Sequence, residues 1–255
     1  MTKETILITG VTGYIGFKVL RIALAQGYRV RGVVRKEEQI SKIKSHPLMD
    51  GLIGGVEFVV IPDMGKAGAF DPVLDGISAI IHVASPLAEE TDDYIRDIVQ
   101  PPLDMESSLL KSALNTPSVC RVVITSSVVT LTPLSWLASS DVDTVFTSRD
   151  LNTDTAPPYY NAMEAYWASK TLARKHVHEF LSQKKPHFDV IQLLPSVVLG
   201  PDDWATDLET LFVGTRAMIL PIVQGKVMEA PVVGVPVLVD DVALAHQCLV
   251  TKTIF

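Results

Sequence analysis

Apolar and polar positions switch between two periods along this chain. "TILIT" (5–9) is a short apolar run rich in β-branched residues, which predicts a strand. Residues 14–26 then place Ile15, Val19, Ile22 and Ala23 at helical spacing. "YRVRGVV" (28–34) predicts a second strand, "KEEQISKIKS" (36–45) a polar helix, and "VEFVVI" (56–61) a third strand. "SAIIHVA" (78–84) predicts a fourth strand. Residues 92–115 predict a long helix that Pro101 and Pro102 must start or kink. "VCRVVITS" (119–126) is a fifth strand, 161–183 a long helix and "FDVIQLL" (188–194) a sixth strand. Strands alternating with helices predict an α/β fold, a doubly wound parallel sheet of Rossmann type.

Composition agrees with that reading. Apolar residues make up 47% of the 255, as expected where a parallel sheet is covered on both faces. The length suits one large α/β domain, or one domain with a small appendage. A net charge of −7 with no run of Lys or Arg excludes nucleic acid and membrane surfaces as expected partners. The longest apolar stretches are too short to span a bilayer, and "MTKETILITG" has no signal-peptide pattern. Two cysteines, Cys120 and Cys248, make no disulfide framework, which points to a reducing, cytoplasmic setting. Cys120 falls in the fifth predicted strand and is expected to be buried.

"ITGVTGYIG" (8–16) follows the first strand and opens the first helix, the context a pyrophosphate-binding turn requires. Gly10 permits the tight turn. Gly13 lets backbone N–H groups approach a phosphate at the helix start, and Gly16 lets helix and strand pack closely. The second strand ends on Arg35 and Lys36, where an NAD site would carry a carboxylate. A guanidinium binds a 2′-phosphate that a carboxylate would repel, and Lys42 adds charge further along; the expected cofactor is NADP(H).

"YWASK" (166–170) places Tyr166 and Lys170 four residues apart on one helix face. A neighbouring ammonium favours phenolate, so the tyrosine can pass a proton to a carbonyl oxygen as hydride reaches the carbon. "VVITSSVVT" ends the fifth strand on Ser126 and Ser127 at the carboxyl edge of the sheet. Ser127 is chosen as the hydroxyl that steadies the substrate oxygen, and Ser126 as a strand-end cap.

These pieces, with "AFDPVLDG", "IIHVASP", "LLPSVVLGP" and "VLVDDVALAH", resemble the extended short-chain dehydrogenase/reductases over residues 5–250. Within that superfamily the likeness is to dihydroflavonol-reductase-like carbonyl reductases and fungal aldehyde/ketone reductases. The resemblance implies a catalytic triad of Ser127, Tyr166 and Lys170, with Lys170 also holding the nicotinamide ribose. It implies that Thr12, Gly13, Tyr14 and Ile15 line the pyrophosphate and that Arg35 and Lys42 meet the 2′-phosphate. Asp63 and Met64 would flank adenine. Val83, Ala84, Ser85 and Pro86 would pass under the cofactor, and Pro195, Val197 and Val198 would pack near the nicotinamide amide.

Residues 1–200 are accordingly expected to form the NADP-binding domain. Residues 201–255 are expected to form a partial substrate-binding region interleaved with it, shorter at its C-terminal end than the family's usual build. The expected substrate is a small, fairly apolar carbonyl compound and the expected state a monomer or homodimer. A nucleotide-sugar epimerase or dehydratase and a non-enzymatic NADP-binding protein are the alternatives. His82 reads as a packed histidine, His176 and His178 lie on a solvated helix, and no metal site is expected. Asp240 and Asp241 begin a helix. Trp136, Tyr159, Trp204 and Phe212 either line a substrate pocket or pack.

Overall fold

β-Branched and aliphatic runs form the strands, and the helices between them bury one apolar stripe each. The structure, a computed structural model, describes residues 4–86, 88–138, 143–211, 214–218, 220–226 and 235–250. The chain divides into two units, and six parallel strands with intervening helices give a Rossmann-like α/β fold.

The first unit comprises Met1–Pro62, Ile77–Ala84 and Pro195–Phe255. It holds β1 (Thr5–Thr9), β2 (Arg29–Val34), β3 (Val56–Val60) and β4 (Ile77–His82), in the order β3-β2-β1-β4. Ile8 pairs with Gly32 on one side and Ile81 on the other. Ile6, Leu7 and Ile8 are all fully buried, so both faces of β1 are covered. Helix α1 (Tyr14–Ala25) follows β1, and α2 (Glu37–Lys44) follows β2. The helix Val239–Val250 packs on α1, where Gln247 Nε2 donates to the Val19 carbonyl at 3.3 Å. Two short strands that periodicity did not reveal, β7 (Val197–Leu199) and β8 (Pro236–Leu238), pair in parallel. Three residues are too few to show a period.

The second unit comprises Asp63–Gly76 and Ser85–Leu194. In it β5 (Arg121–Thr125) pairs with β6 (Asp189–Leu193) in parallel. Helices α3 (Gln100–Leu114) and α4 (Ala162–Lys184) pack on each other. The predicted helix over 92–115 proves to be two pieces: a π-helical turn at Ile95–Val99 leads into α3. Pro101 and Pro102 fall in the first turn of α3, where their missing N–H groups leave no helical bond unmade. Cys120 precedes β5 and is half-buried, its thiol donating to the Ser118 carbonyl at 3.4 Å, so the expected burial in a strand does not occur. The fourth strand stops at His82 rather than Ala84, because a side chain takes the N–H groups of Val83 and Ala84. Among the described residues no helix is long and apolar enough to cross a membrane.

Candidate active site

In the first unit the glycine turn is held by contacts that forbid side chains. Gly10 sits at φ +74°, and a Cβ there would lie 2.8 Å from the Ala84 nitrogen. A Cβ on Gly16 would lie 2.0 Å from the Gly10 carbonyl oxygen, an impossible approach. Gly13 differs. Its backbone is extended, its N–H donates to the Gly10 carbonyl at 2.9 Å, and a Cβ would sit at 3.3 Å from that oxygen. Gly13 is the N-cap of α1, with no side-chain cap and no acidic residue in the first turn. The leading N–H groups and the positive end of α1 are thus left for an anion, and these residues fit a dinucleotide pyrophosphate.

Thr9, which sequence reasoning passed over, fixes the turn from below. Fully buried at the end of β1, its Oγ1 accepts from the N–H groups of Val83 (3.2 Å) and Ala84 (3.1 Å). Its own proton can then go to His82 Nδ1, 2.9 Å away, which leaves the imidazole proton on Nε2. His82 is 3% exposed and is the packed histidine expected. The structure thereby brings Gly10, Val83 and Ala84 together.

The other predicted cofactor residues of this unit are placed as follows. Arg35 and Lys36 are exposed between β2 and α2. Gln39 holds them: its Oε1 accepts from the N–H of Arg35 (2.8 Å) and of Lys36 (3.1 Å), and its Nε2 donates to Thr12 Oγ1 at 3.5 Å. Lys42 is exposed in the last turn of α2. Ile15 is half-buried at the start of α1. Tyr14 commits its side chain elsewhere. Its hydroxyl donates to the Gly200 carbonyl at 3.0 Å, the Arg216 guanidinium lies 4.5 Å over its ring, and burial pushes its pKa up to about 12. Only the Tyr14 backbone is left to serve a phosphate. Pro195 precedes β7, which carries Val197 and Val198; the Val198 carbonyl accepts from Thr215 Oγ1 at 2.8 Å. Trp204 packs against the Phe17 ring (5.1 Å) and the His46 ring (5.8 Å), so of its two readings packing is realised. Phe212 lies outside the described residues. Asp240 and Asp241 stand in the first turn of Val239–Val250 as expected.

The second unit carries the proton-transfer residues. Ser126 extends the strand ladder by donating its N–H to the Leu193 carbonyl at 2.8 Å. The cap is Ser127 rather than Ser126: Ser127 Oγ accepts from the Val129 N–H at 3.4 Å and opens the short turn Val128–Thr130. Accepting leaves the Ser127 proton available for donation. Tyr166 is half-buried on α4, with Lys170 one turn on and its Nζ 5.9 Å from the centre of the Tyr166 ring. Lys170 is 9% exposed and donates to Ser85 Oγ at 2.8 Å. Ser85 therefore meets the catalytic lysine. Pro86 is half-buried beside it. Asp63 Oδ1 accepts from the Gly65 N–H at 2.9 Å, and Met64 is buried.

Helix α4 is fastened near Ser127 by residues the sequence did not single out. Asn161 Oδ1 caps it through the Glu164 N–H at 2.9 Å. Trp167 Nε1 donates to the Thr132 carbonyl at 3.1 Å. Arg174 donates to Thr130 Oγ1 (3.0 Å), to the Asp150 carbonyl (2.9 Å) and to the Ser148 carbonyl (2.6 Å), and Thr130 Oγ1 in turn donates to the Ser127 carbonyl at 2.9 Å. Trp136 packs edge-on against Phe146 at 5.3 Å, and the Tyr159 hydroxyl donates to the Thr155 carbonyl at 2.7 Å. His176 is half-buried and His178 exposed on α4.

Three comparisons with known proteins bear on this arrangement. The model of the NAD dependent epimerase/dehydratase family matches residues 6–252. An uncharacterized oxidoreductase of Schizosaccharomyces pombe is 33% identical over 96% of this chain and 73% of its own length. Ketoreductase CTB6 of Cercospora nicotianae is 33% identical over 83% of this chain and 61% of its own length. Among solved structures, Gre2 of Candida albicans in complex with NADPH superposes with a TM-score of 0.81 at 26% identity, covering 96% of this chain and 73% of that one. The chain thus spans roughly three fifths to three quarters of the length of these relatives.

Proposed function

The chain belongs to the NAD dependent epimerase/dehydratase family and is an NAD(P)-dependent oxidoreductase; from that premise we propose that it reduces the carbonyl group of a small, fairly apolar ketone or aldehyde with NADPH. The observation that carries the reading is the buried Lys170 ammonium standing one helical turn from Tyr166. The named ketoreductase and the NADPH-bound relative support it.

When bound, the cofactor supplies hydride to the carbonyl carbon. Gly10, Thr12, Gly13, Tyr14, Ile15 and Gly16 would hold its pyrophosphate through the uncapped start of α1. Arg35, backed by Gln39 and aided by Lys42, would take the 2′-phosphate. Asp63 and Met64 would flank adenine, and Val83, Ala84, Ser85 and Pro86 would lie under the dinucleotide. Pro195, Val197 and Val198 would border the nicotinamide amide.

Tyr166 donates its hydroxyl proton to the carbonyl oxygen as the alcohol forms. Ser127 donates a hydrogen bond to the same oxygen, which stabilises the charge that builds there. The Lys170 ammonium stabilises the phenolate left on Tyr166. The protein acts without a membrane or nucleic-acid partner, in the cytoplasm.

The deciding experiment is titration of the protein with NADPH and NADH, followed by a carbonyl panel read by NADPH consumption. Tighter NADPH binding and turnover of an apolar ketone or aldehyde are expected. Tightly retained NAD would favour the epimerase alternative. NADPH binding with no consumption on any carbonyl would favour a binding protein.

A further inference from the structure

The second unit buries an acid that the mechanism above does not use. Glu106 stands on α3, the helix packed on α4, and is 7% exposed. Its Oε2 is buried and has no hydrogen-bond partner among the described residues. An unpartnered carboxyl oxygen in a core is costly, and a neutral side chain of the same shape would avoid the cost. The charge that acts on it is the Lys170 ammonium, itself buried and committed by hydrogen bond to Ser85 Oγ alone among printed partners.

Other charged groups on the elements packed against α3 are occupied. Asp104, on the same helix, accepts from Gln100 Nε2 at 2.8 Å, and Asp71 accepts from Ser112 Oγ at 2.5 Å. In the π-helical turn Arg96 and Asp97 pair with each other at 2.7 Å. On α4, Arg174 is spent on Thr130, Ser148 and Asp150, and Glu164 on the cap. Glu106 and Lys170 are left as a buried couple, with Tyr166 beside the lysine.

We propose that Glu106 is a positioning residue for the reduction read above: once ionised, its carboxylate opposes the field of the Lys170 ammonium on the Tyr166 hydroxyl, and so extends to higher pH the range in which Tyr166 keeps its proton. This rests on the reductase reading. Burial supports it by holding the Glu106 carboxyl far above the ordinary range, at about 7, while Lys170 pulls the other way. As pH rises past neutrality the Glu106 proton leaves for solvent. The new negative charge offsets the ammonium, and the tyrosine ionises later than it would beside Lys170 alone. Little water lies between buried groups to screen this effect.

The test compares kcat/KM for carbonyl reduction against pH in the wild type, Glu106→Gln and Glu106→Asp. In Glu106→Gln the alkaline limb moves to lower pH by about half a unit or more, roughly a threefold loss on that limb. The acid side stays in place, and Glu106→Asp restores the limb. An alkaline limb that stays put in Glu106→Gln overturns the proposal.

A second readout needs neither turnover nor that variant's folding: carbon-13 NMR of the full chain labelled at glutamate carboxyls, with and without Lys170→Met. One carboxyl titrating near neutrality, and still higher in Lys170→Met, is expected. If every glutamate titrates in the ordinary range, or Lys170→Met leaves the high one unmoved, the couple does not exist. Coupling in the spectra with no NADPH consumption on any carbonyl sinks the reductase reading, and with it the role on Tyr166, but not the couple.

Discussion

Gln39 Oε1 accepts the backbone N–H of Arg35 at 2.8 Å while Gln39 Nε2 reaches Thr12 Oγ1 at 3.5 Å. One uncharged amide thus spans the end of β2 and the glycine turn, the two places where an NADP(H) site must meet a 2′-phosphate and a pyrophosphate.

Arg35→Ala is expected to weaken NADPH binding by about tenfold to a hundredfold, the worth of a charge-assisted hydrogen bond. NADH binding should change little. Gln39→Leu should weaken NADPH by a smaller factor with Arg35 still present, because the guanidinium is less well held. Fluorescence titration with both nucleotides checks this, and equal losses for NADPH and NADH in Arg35→Ala would remove the residue from the 2′-phosphate.

The glycines separate by space. Gly16→Ala puts a methyl 2.0 Å from the Gly10 carbonyl oxygen, so α1 must shift, at a cost of about 1–3 kcal/mol or more. Gly13→Ala meets that oxygen at 3.3 Å with an ordinary φ, so the fold should survive it. Its methyl would still crowd an anion at the helix start. Thermal melting should therefore fall sharply for Gly16→Ala and slightly for Gly13→Ala, while NADPH affinity falls in both.

Tyr166→Phe is expected to lower kcat by about a hundredfold or more, with NADPH affinity near that of the wild type. Ser127→Ala should cost a similar order, since it removes a donor from the substrate oxygen. Near-normal turnover in Tyr166→Phe would refute the assigned role.

What was legible in the sequence is what depends on neighbours. The strand-then-glycine turn and the Tyr166–Lys170 spacing each lie within one turn or one helix, and the structure keeps them. Pro101 and Pro102 announced a break, but whether as a start, a kink or a π-helical turn depends on how α3 packs on α4. The missed residues all act across gaps in the chain: Thr9 on Val83 and Ala84, Arg174 on Thr130, Glu106 on Lys170. A threonine before a glycine, or a glutamate on a helix of mixed polarity, carries no local mark of such a partner. Ser126 and Ser127 were told apart as capper and donor, yet the cap fell to Ser127 because Ser126 still lies in the ladder with β6.

Glu106 also makes stability depend on pH. Its folded pKa of about 7 stands above the ordinary value of 4.5, so the folded state holds a proton that the unfolded chain releases. The contribution is fully present below about pH 4.5 and is lost as pH rises through 7, by up to about 3 kcal/mol. Glu106→Gln cannot ionise and escapes this loss. In urea unfolding the variant should gain on the wild type steadily from pH 5 to pH 8. A stability difference that is flat with pH would show that Glu106 titrates as an ordinary glutamate.

The last prediction concerns α1 itself, whose position decides where its N–H groups point. Lys18 on α1 is 8% exposed in its side chain and pairs with Asp203 at 2.8 Å and Asp240 at 3.2 Å; Arg21 also pairs with Asp203. Removing one member of a buried pair leaves a charge without its partner, which costs more than the pair itself contributes. Asp203→Ala should therefore destabilise the protein by about 3 kcal/mol, somewhat eased by Asp240. Lys18→Met together with Asp203→Ala removes both charges and should recover part of that loss. If the double variant proves less stable than Asp203→Ala alone in urea unfolding, the lysine contributes through packing of its stem against α1's neighbours rather than through charge.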